Sequence, residues 1–154
     1  MLLIKLLYYA DREALLRRGT PITGDQMVSM DYGPVLSNLL GLVRNPHRPS
    51  DAWRNHIETG ANYIVRLREE IDTSELSRFE LELLAAIDAK HGQKDPFELS
   101  GESHLLPEWV DPKGSSIPIQ VEDLVKAEHG SDQDIADVEG LAKIEWFFRE
   151  LEKD

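Results

Sequence analysis

The sequence predicts an α+β fold that is predominantly helical, with about six helices and a small antiparallel sheet of two or three strands. Apolar residues recur at helical spacing in several segments, and short runs suited to strands lie between turn signals. The composition, 41% hydrophobic and 30% charged, is that of a globular protein. Because the 154 residues contain no repeat and no evident linker, we expect residues 1–154 to form a single domain.

The first predicted helix occupies the start of the chain. Apolar side chains recur every three or four positions from Leu3 to Leu15. Arg17 and Arg18 complement the negative end of the helix dipole, and Gly19 supplies a C-terminal cap. This helix therefore carries its own stop signal.

Residues 20–25 have the composition of a turn, and residues 26–31 read as a short strand. After a bend, Pro34 suits the first turn of a second helix, which residues 45–46 stop with an Asn-Pro pair. Residues 63–67 read as another strand. The most economical sheet pairs that strand antiparallel with residues 26–31.

The remaining predicted elements are mostly helical. A strong helix begins at Asp72 or Ser74 and closes at Gly92. The other segments are a short helical turn at residues 96–99, a surface loop at 113–116, a short helix at 118–129 and a final helix at 132–151.

The formal net charge of −12 limits the classes of partner. Such a surface repels phosphate backbones, which argues against nucleic-acid binding, and it favours basic protein partners. Solubility alone would also explain it. The absence of cysteine is compatible with a reducing cytoplasm, and charges interrupt the apolar start before spanning length, so we expect a cytoplasmic protein without membrane contact.

No catalytic, cofactor or metal site is predicted. The five histidines lack the close spacing of metal ligands, and no glycine-rich phosphate loop is present. Ser103, His104 and Glu108 allow a hydrolase to be imagined, but the members of a catalytic triad usually meet from separate segments. The simpler interpretation is that His104 hydrogen-bonds a turn near Trp109.

Three ordered blocks carry a family resemblance: KLLYYADR at residues 5–12, PITGD at 21–25 and YGPV at 32–35. Together they resemble the signature of the Panacea domain, the SocA-like antitoxin family. The resemblance continues more loosely through residues 90–92 and 103–109, and so covers roughly residues 5–110.

The resemblance implies an antitoxin of a bacterial or phage toxin–antitoxin system, which neutralises a cognate toxin by direct binding without catalysis. The toxin is expected to be encoded by the adjacent gene. Two alternatives stay open: an adaptor that delivers the toxin to a cytoplasmic protease, and a phage-associated regulatory protein. Family members usually have a helix before the first block, so the resemblance also implies that an N-terminal helix is missing here.

Polar and aromatic residues, about half of them beside the predicted bends, are the candidates for partner binding. They are Tyr9, Arg12, Thr23, Asp25, Tyr32, His104 and Trp109. Such side chains could line a recognition groove or tie the turns together by hydrogen bonds. The structural role is favoured for Asp11 and Asp25, whereas the two roles are equally weighted for Arg12 and Tyr32.

Overall fold

The computed structural model describes residues 1–44, 51–60, 64–129 and Gly140. The helices in these residues are α1 (Leu2–Arg18), α2 (Ser37–Arg44), α3 (Asp51–His56), α4 (Arg78–His91), α5 (Pro96–Ser103) and α6 (Val121–His129). The strands are β1 (Met27–Ser29), β2 (Val35–Leu36), β3 (Ile57–Thr59), β4 (Val65–Leu67) and β5 (Ile117–Pro118). The predicted fold class, α+β and rich in helix, is confirmed.

Helix α1 ends as its sequence predicts. Gly19 has a φ of 76°, in the left-handed region, and its N–H donates to the carbonyl of Leu15. On α1, Ile4 and Tyr8 are buried against the sheet. The Arg18 guanidinium lies 3.9 Å from the centre of the Phe79 ring, which joins the end of α1 to α4.

The main sheet has the strand order β2-β1-β5, and both pairings are antiparallel. The registers place Val28 opposite Val35 and opposite Pro118. The predicted pairing of residues 63–67 with residues 26–31 is wrong, because β4 pairs with β3 in a separate two-stranded sheet. β3 follows α3 directly, and neither element was predicted.

The predicted helix start at Pro34 is also wrong. Val35 and Leu36 form a strand instead, and α2 begins at Ser37. The cap explains the shift: the Asp25 carboxylate accepts hydrogen bonds from the N–H groups of Asn38 and Leu39. A helix can therefore begin only after the strand, where this distant carboxylate satisfies its free N–H groups.

Other observed helix boundaries also differ from the predicted ones, for similar local reasons. Helix α4 starts after Ser77, which forms a capping box with Glu80, because Asp72 instead hydrogen-bonds Ser74 in a turn. Helix α5 is longer than predicted and is capped by Asp95. The predicted helix over residues 132–151 lies outside the described residues, and the single-domain assignment stays a prediction.

The core lies between α1 and the three-stranded sheet, and α2 and α6 complete it. Its buried members are Ile4, Tyr8, Leu15, Met27, Val28, Val35, Leu36, Leu39, Val43 and Leu124. Within the stretches that the structure describes, no helix is both long and apolar enough to cross a membrane.

Candidate partner-binding surface

The bend between β1 and β2 is held by side chains from distant parts of the chain. Four backbone carbonyls in this bend, residues 30–34, accept side-chain hydrogen bonds. The bonds run from Trp109 Nε1 to Met30 (3.1 Å), His104 Nε2 to Asp31 (2.9 Å), Ser100 Oγ to Tyr32 (2.8 Å) and Lys5 Nζ to Pro34 (2.9 Å). The bend is therefore fixed by α1, by α5 and by the segment that follows α5.

Gly33 allows this close packing. Its φ of 85° lies in the left-handed region, which side chains rarely adopt. A Cβ atom at this position would overlap Ser103 Oγ and lie 2.7 Å from Lys5 Nζ. Glycine is thus required both by the backbone conformation and by the neighbours of the bend.

Tyr32 in this bend and two apolar residues of the segment that contacts the bend are exposed. Tyr32 is 63% exposed, Phe97 on α5 is 73% exposed, and Leu105 just after α5 is 85% exposed. We call these three residues the Tyr32 surface. Tyr32 is among the candidates named from the sequence, whereas Phe97 and Leu105 are not. The consecutive pair Leu105-Leu106 was the available signal, because two adjacent apolar residues of a helical turn cannot both face one core.

His104 and Trp109 support this bend from behind. Their rings meet edge to face, with centroids 4.4 Å apart and planes at 86°. Both are partly buried, and both donate to carbonyls of the bend. The structure therefore brings together three of the predicted site residues, Tyr32, His104 and Trp109.

Lys5 is a buried amine whose described hydrogen bonds include no carboxylate. Its side chain donates to the Pro34 carbonyl and, at 3.0 Å, to Ser103 Oγ, which in turn donates to the Ser100 carbonyl. Lys5 is 1% exposed, and burial lowers its pKa from 10.5 to about 7. The amine thus links α1 to the bend and to α5 at an electrostatic cost.

This cost predicts a pH-dependent stability. Between about pH 7 and 10.5 the unfolded chain binds a proton at Lys5 that the folded chain does not bind, so stability should rise with pH in that window. We expect the free energy of unfolding, measured by urea denaturation, to rise by roughly 1–2 kcal/mol from pH 7.5 to 9.5 because of Lys5. Lys5→Met should remove this rise. An unchanged slope in the variant would contradict the assignment.

Arg12 lies inside the protein rather than on the surface. Its guanidinium donates to both carboxylate oxygens of Glu108, at 2.8 and 3.2 Å, and to Glu128 on α6 at 2.6 Å. The Tyr8 hydroxyl donates to the same Glu108 oxygen as Arg12 Nε, at 2.7 Å. We call these four residues the Arg12 network. It connects α1 to the segment after α5 and to α6.

Burial perturbs the groups of this network. Burial by itself would lower the pKa of Arg12, but its hydrogen bonds to Glu108 and Glu128 outweigh that effect and raise it. Burial, followed by the charge of Glu108, raises the pKa of Tyr8. Arg12 therefore stays charged and Tyr8 neutral, which suits a structural role for both.

Thr23 and Asp25 organise a second turn. The Asp11 carboxylate accepts hydrogen bonds from the N–H groups of Ile22 and Thr23, both at 2.9 Å, and from the Thr23 hydroxyl. Asp25 caps α2, as described above, and its own N–H donates to Thr23 Oγ1 at 3.1 Å. These contacts join the turn to α1 and α2.

Tyr9 is half-buried and stacks on His91 of α4, with ring centroids 4.8 Å apart and planes 7° from parallel. Burial raises the pKa of Tyr9 to about 12, and it lowers that of His91. This ring pair joins α1 to α4, and α4 supplies none of the four side-chain hydrogen bonds to the bend described above.

The three residues of the imagined hydrolase are engaged separately. Ser103 Oγ donates to the Ser100 carbonyl, His104 Nε2 bonds the Asp31 carbonyl, and Glu108 binds Arg12 and Tyr8. These contacts hold the groups in structural roles. Across the described part of the chain, no group of three or more His, Asp or Glu residues could hold a metal ion.

The sequence matches the protein family described as Antitoxin SocA-like, Panacea domain, over residues 3–110. This match covers more than half of the chain, and the chain therefore belongs to that family. The matched range includes the bend and the helices that hold it, whereas α6 lies beyond it. No curated protein and no solved structure matches the chain. Membership in an antitoxin family implies a toxin as the general class of partner.

Proposed function

We propose that this chain is the antitoxin of a bacterial or phage toxin–antitoxin system and neutralises its toxin by direct binding, without catalysis. The observation that carries the proposal is the bend at residues 30–34, in which four carbonyls are held by distant side chains while Tyr32 stays exposed. Family membership supplies the class of partner.

A rigid bend suits a binding role for an energetic reason. Ordering a loop on association costs free energy, and a loop that is already fixed avoids that cost. Tyrosine is also among the residues that contribute most to protein interfaces, because its ring is large and has few rotatable bonds. An exposed tyrosine on a fixed bend is therefore well suited to anchor a partner.

The charge of the chain suits the same role. A net charge of −12 attracts a basic partner and speeds its encounter with the antitoxin. A toxin of that kind is expected from the adjacent gene, and the absence of cysteine is compatible with action in the cytoplasm.

Co-expression tests the proposal. The protein encoded by the adjacent gene is induced in a bacterial host, alone or with this chain, and growth and toxin abundance are followed. We expect arrest by that protein alone, rescue by this chain, and an unchanged amount of toxin. If the toxin level falls on rescue, and does so only when a cytoplasmic protease is present, the adaptor alternative replaces direct neutralisation.

Two further outcomes would contradict the proposal. One is an adjacent gene product that is harmless alone, and the other is arrest that persists beside this chain. The control is Glu108→Ala, which we expect to be less stable and therefore to be present in a smaller folded amount. Its rescue shows how strongly growth depends on the amount of folded antitoxin.

A further inference from the structure

We propose that the toxin docks on the Tyr32 surface through a segment that combines apolar side chains with Lys or Arg. This inference rests on the proposed function and names its interface and the chemistry of the partner. The expected contact includes Phe97 and Leu105, which are not among the candidates named from the sequence.

The three side chains belong to one surface because each adjoins a contact with the same bend. Ser100, which donates to the Tyr32 carbonyl, lies one helical turn after Phe97 on α5, so both occupy one helix face. His104, which bonds the Asp31 carbonyl, immediately precedes Leu105. Both apolar residues therefore lie next to residues that contact the bend.

The described chain leaves Phe97 and Leu105 largely uncovered. Phe97 and Leu105 stay 73% and 85% exposed, more than Leu36, Leu99 and Leu124, which are fully buried. Large apolar side chains that are exposed together mark interaction sites more often than isolated ones do. Here they also lie on a rigid support, which lowers the cost of binding.

The carboxylates beside this surface select the partner's charge. Asp31 precedes Tyr32, Asp95 caps the start of α5 two residues before Phe97, and Glu98 follows Phe97. Two lysines lie nearby in the chain: Lys94, which pairs with Glu102 at 2.6 Å, and Lys113, whose neighbour Gly114 donates its N–H to the Asp31 carboxylate. Acidic groups therefore outnumber basic ones, and Lys or Arg beside the apolar contact would be attracted.

The same charges disfavour other occupants. A second copy of this chain would bring a like set of carboxylates against these, at a net charge of −12 for each copy. A nucleic-acid backbone or an anionic membrane would be repelled for the same reason. A basic protein segment is the occupant that the chemistry fits.

Binding of the purified adjacent gene product to variants of the full chain tests the apolar contact. We expect Leu105→Asp to raise the dissociation constant about 100-fold or more, and Tyr32→Ala to raise it about 30-fold. Both changes remove an anchor, and Leu105→Asp also places a charge in the interface. Leu67→Asp is the matched control, since Leu67 is 60% exposed on β4 of the separate sheet. It should bind like the unchanged chain.

The charge is tested separately by association kinetics at low and high salt. Glu98→Lys should slow association about 3- to 10-fold at low salt with little change in dissociation, and the difference should shrink at high salt. The control is Glu75→Lys, in the segment before α4. It should have a smaller effect.

The outcomes separate this inference from the proposed function. If the unchanged chain binds and neutralises the toxin while Leu105→Asp and Tyr32→Ala bind equally well, the interface is wrong and the function stands. If Leu105→Asp instead abolishes dimerisation of the chain alone, measured by sedimentation, the surface belongs to a second copy. Absence of binding by the unchanged chain would overturn both. Thermal unfolding of each variant verifies that the fold is intact.

Discussion

Replacing Glu108 by alanine is expected to lower the free energy of unfolding by about 3–5 kcal/mol. The Glu108 side chain is 0% exposed and accepts three hydrogen bonds, two from Arg12 and one from Tyr8. Its removal leaves the Arg12 guanidinium buried with only Glu128 as an acidic partner and the Tyr8 hydroxyl without an acceptor. Urea denaturation at pH 7 measures the loss.

The matched control is Glu82→Ala on α4. Glu82 pairs with Arg78 at 2.7 Å, but both side chains are mostly exposed, so this change should cost less than about 0.5 kcal/mol. Glu108→Gln keeps the size of the side chain and should fall between the two. If Glu108→Ala and Glu82→Ala cost the same, the Arg12 network does not hold α1 to the segment after α5.

The second large effect is expected at Gly33. Gly33→Ala must force a side chain into the left-handed region and into the space of Ser103 Oγ, and we expect a loss of about 3 kcal/mol or more in the free energy of unfolding. We also expect Gly33→Ala to bind the toxin more weakly than the unchanged chain at temperatures where the variant is still folded. The reason is that the bend that carries Tyr32 has to move.

Gly24→Ala separates the two causes of this loss. Gly24 also has a left-handed φ, 67°, but nothing lies within 4 Å of the position of a Cβ atom. It should therefore cost only the backbone term, about 1–2 kcal/mol. Equal losses at the two positions would mean that Ser103 and Lys5 can move aside at little cost.

The sequence predicted correctly those elements whose boundaries depend on neighbouring residues. Helix α1 carries its own cap in Gly19, and strand β1 lies between clear turn residues. The errors arose where a residue distant in the sequence determines the start of a helix or the partner of a strand. The start of α2 depends on Asp25, and β4 depends on β3, whose short alternation gives no register signal.

In the candidate site too, features set by neighbouring residues could be predicted and features set by distant residues could not. The blocks at residues 5–12, 21–25 and 32–35 indicated the family, whereas composition led only to the proposal of a basic partner. The burial of Arg12 was not foreseeable, because its partner Glu108 is 96 residues away. A recognisable block therefore identifies residues that matter without distinguishing those that hold the fold from those that face a partner.

The proposed toxin interface lies where α5 meets the bend at residues 30–34. Amide hydrogen exchange of the purified complex with the adjacent gene product, compared with the free chain, tests it most directly. We expect slower exchange in residues 96–106 and 30–33, with little change in β3 and β4. Protection confined to the β3–β4 sheet, with none in α5 or the bend, would contradict it.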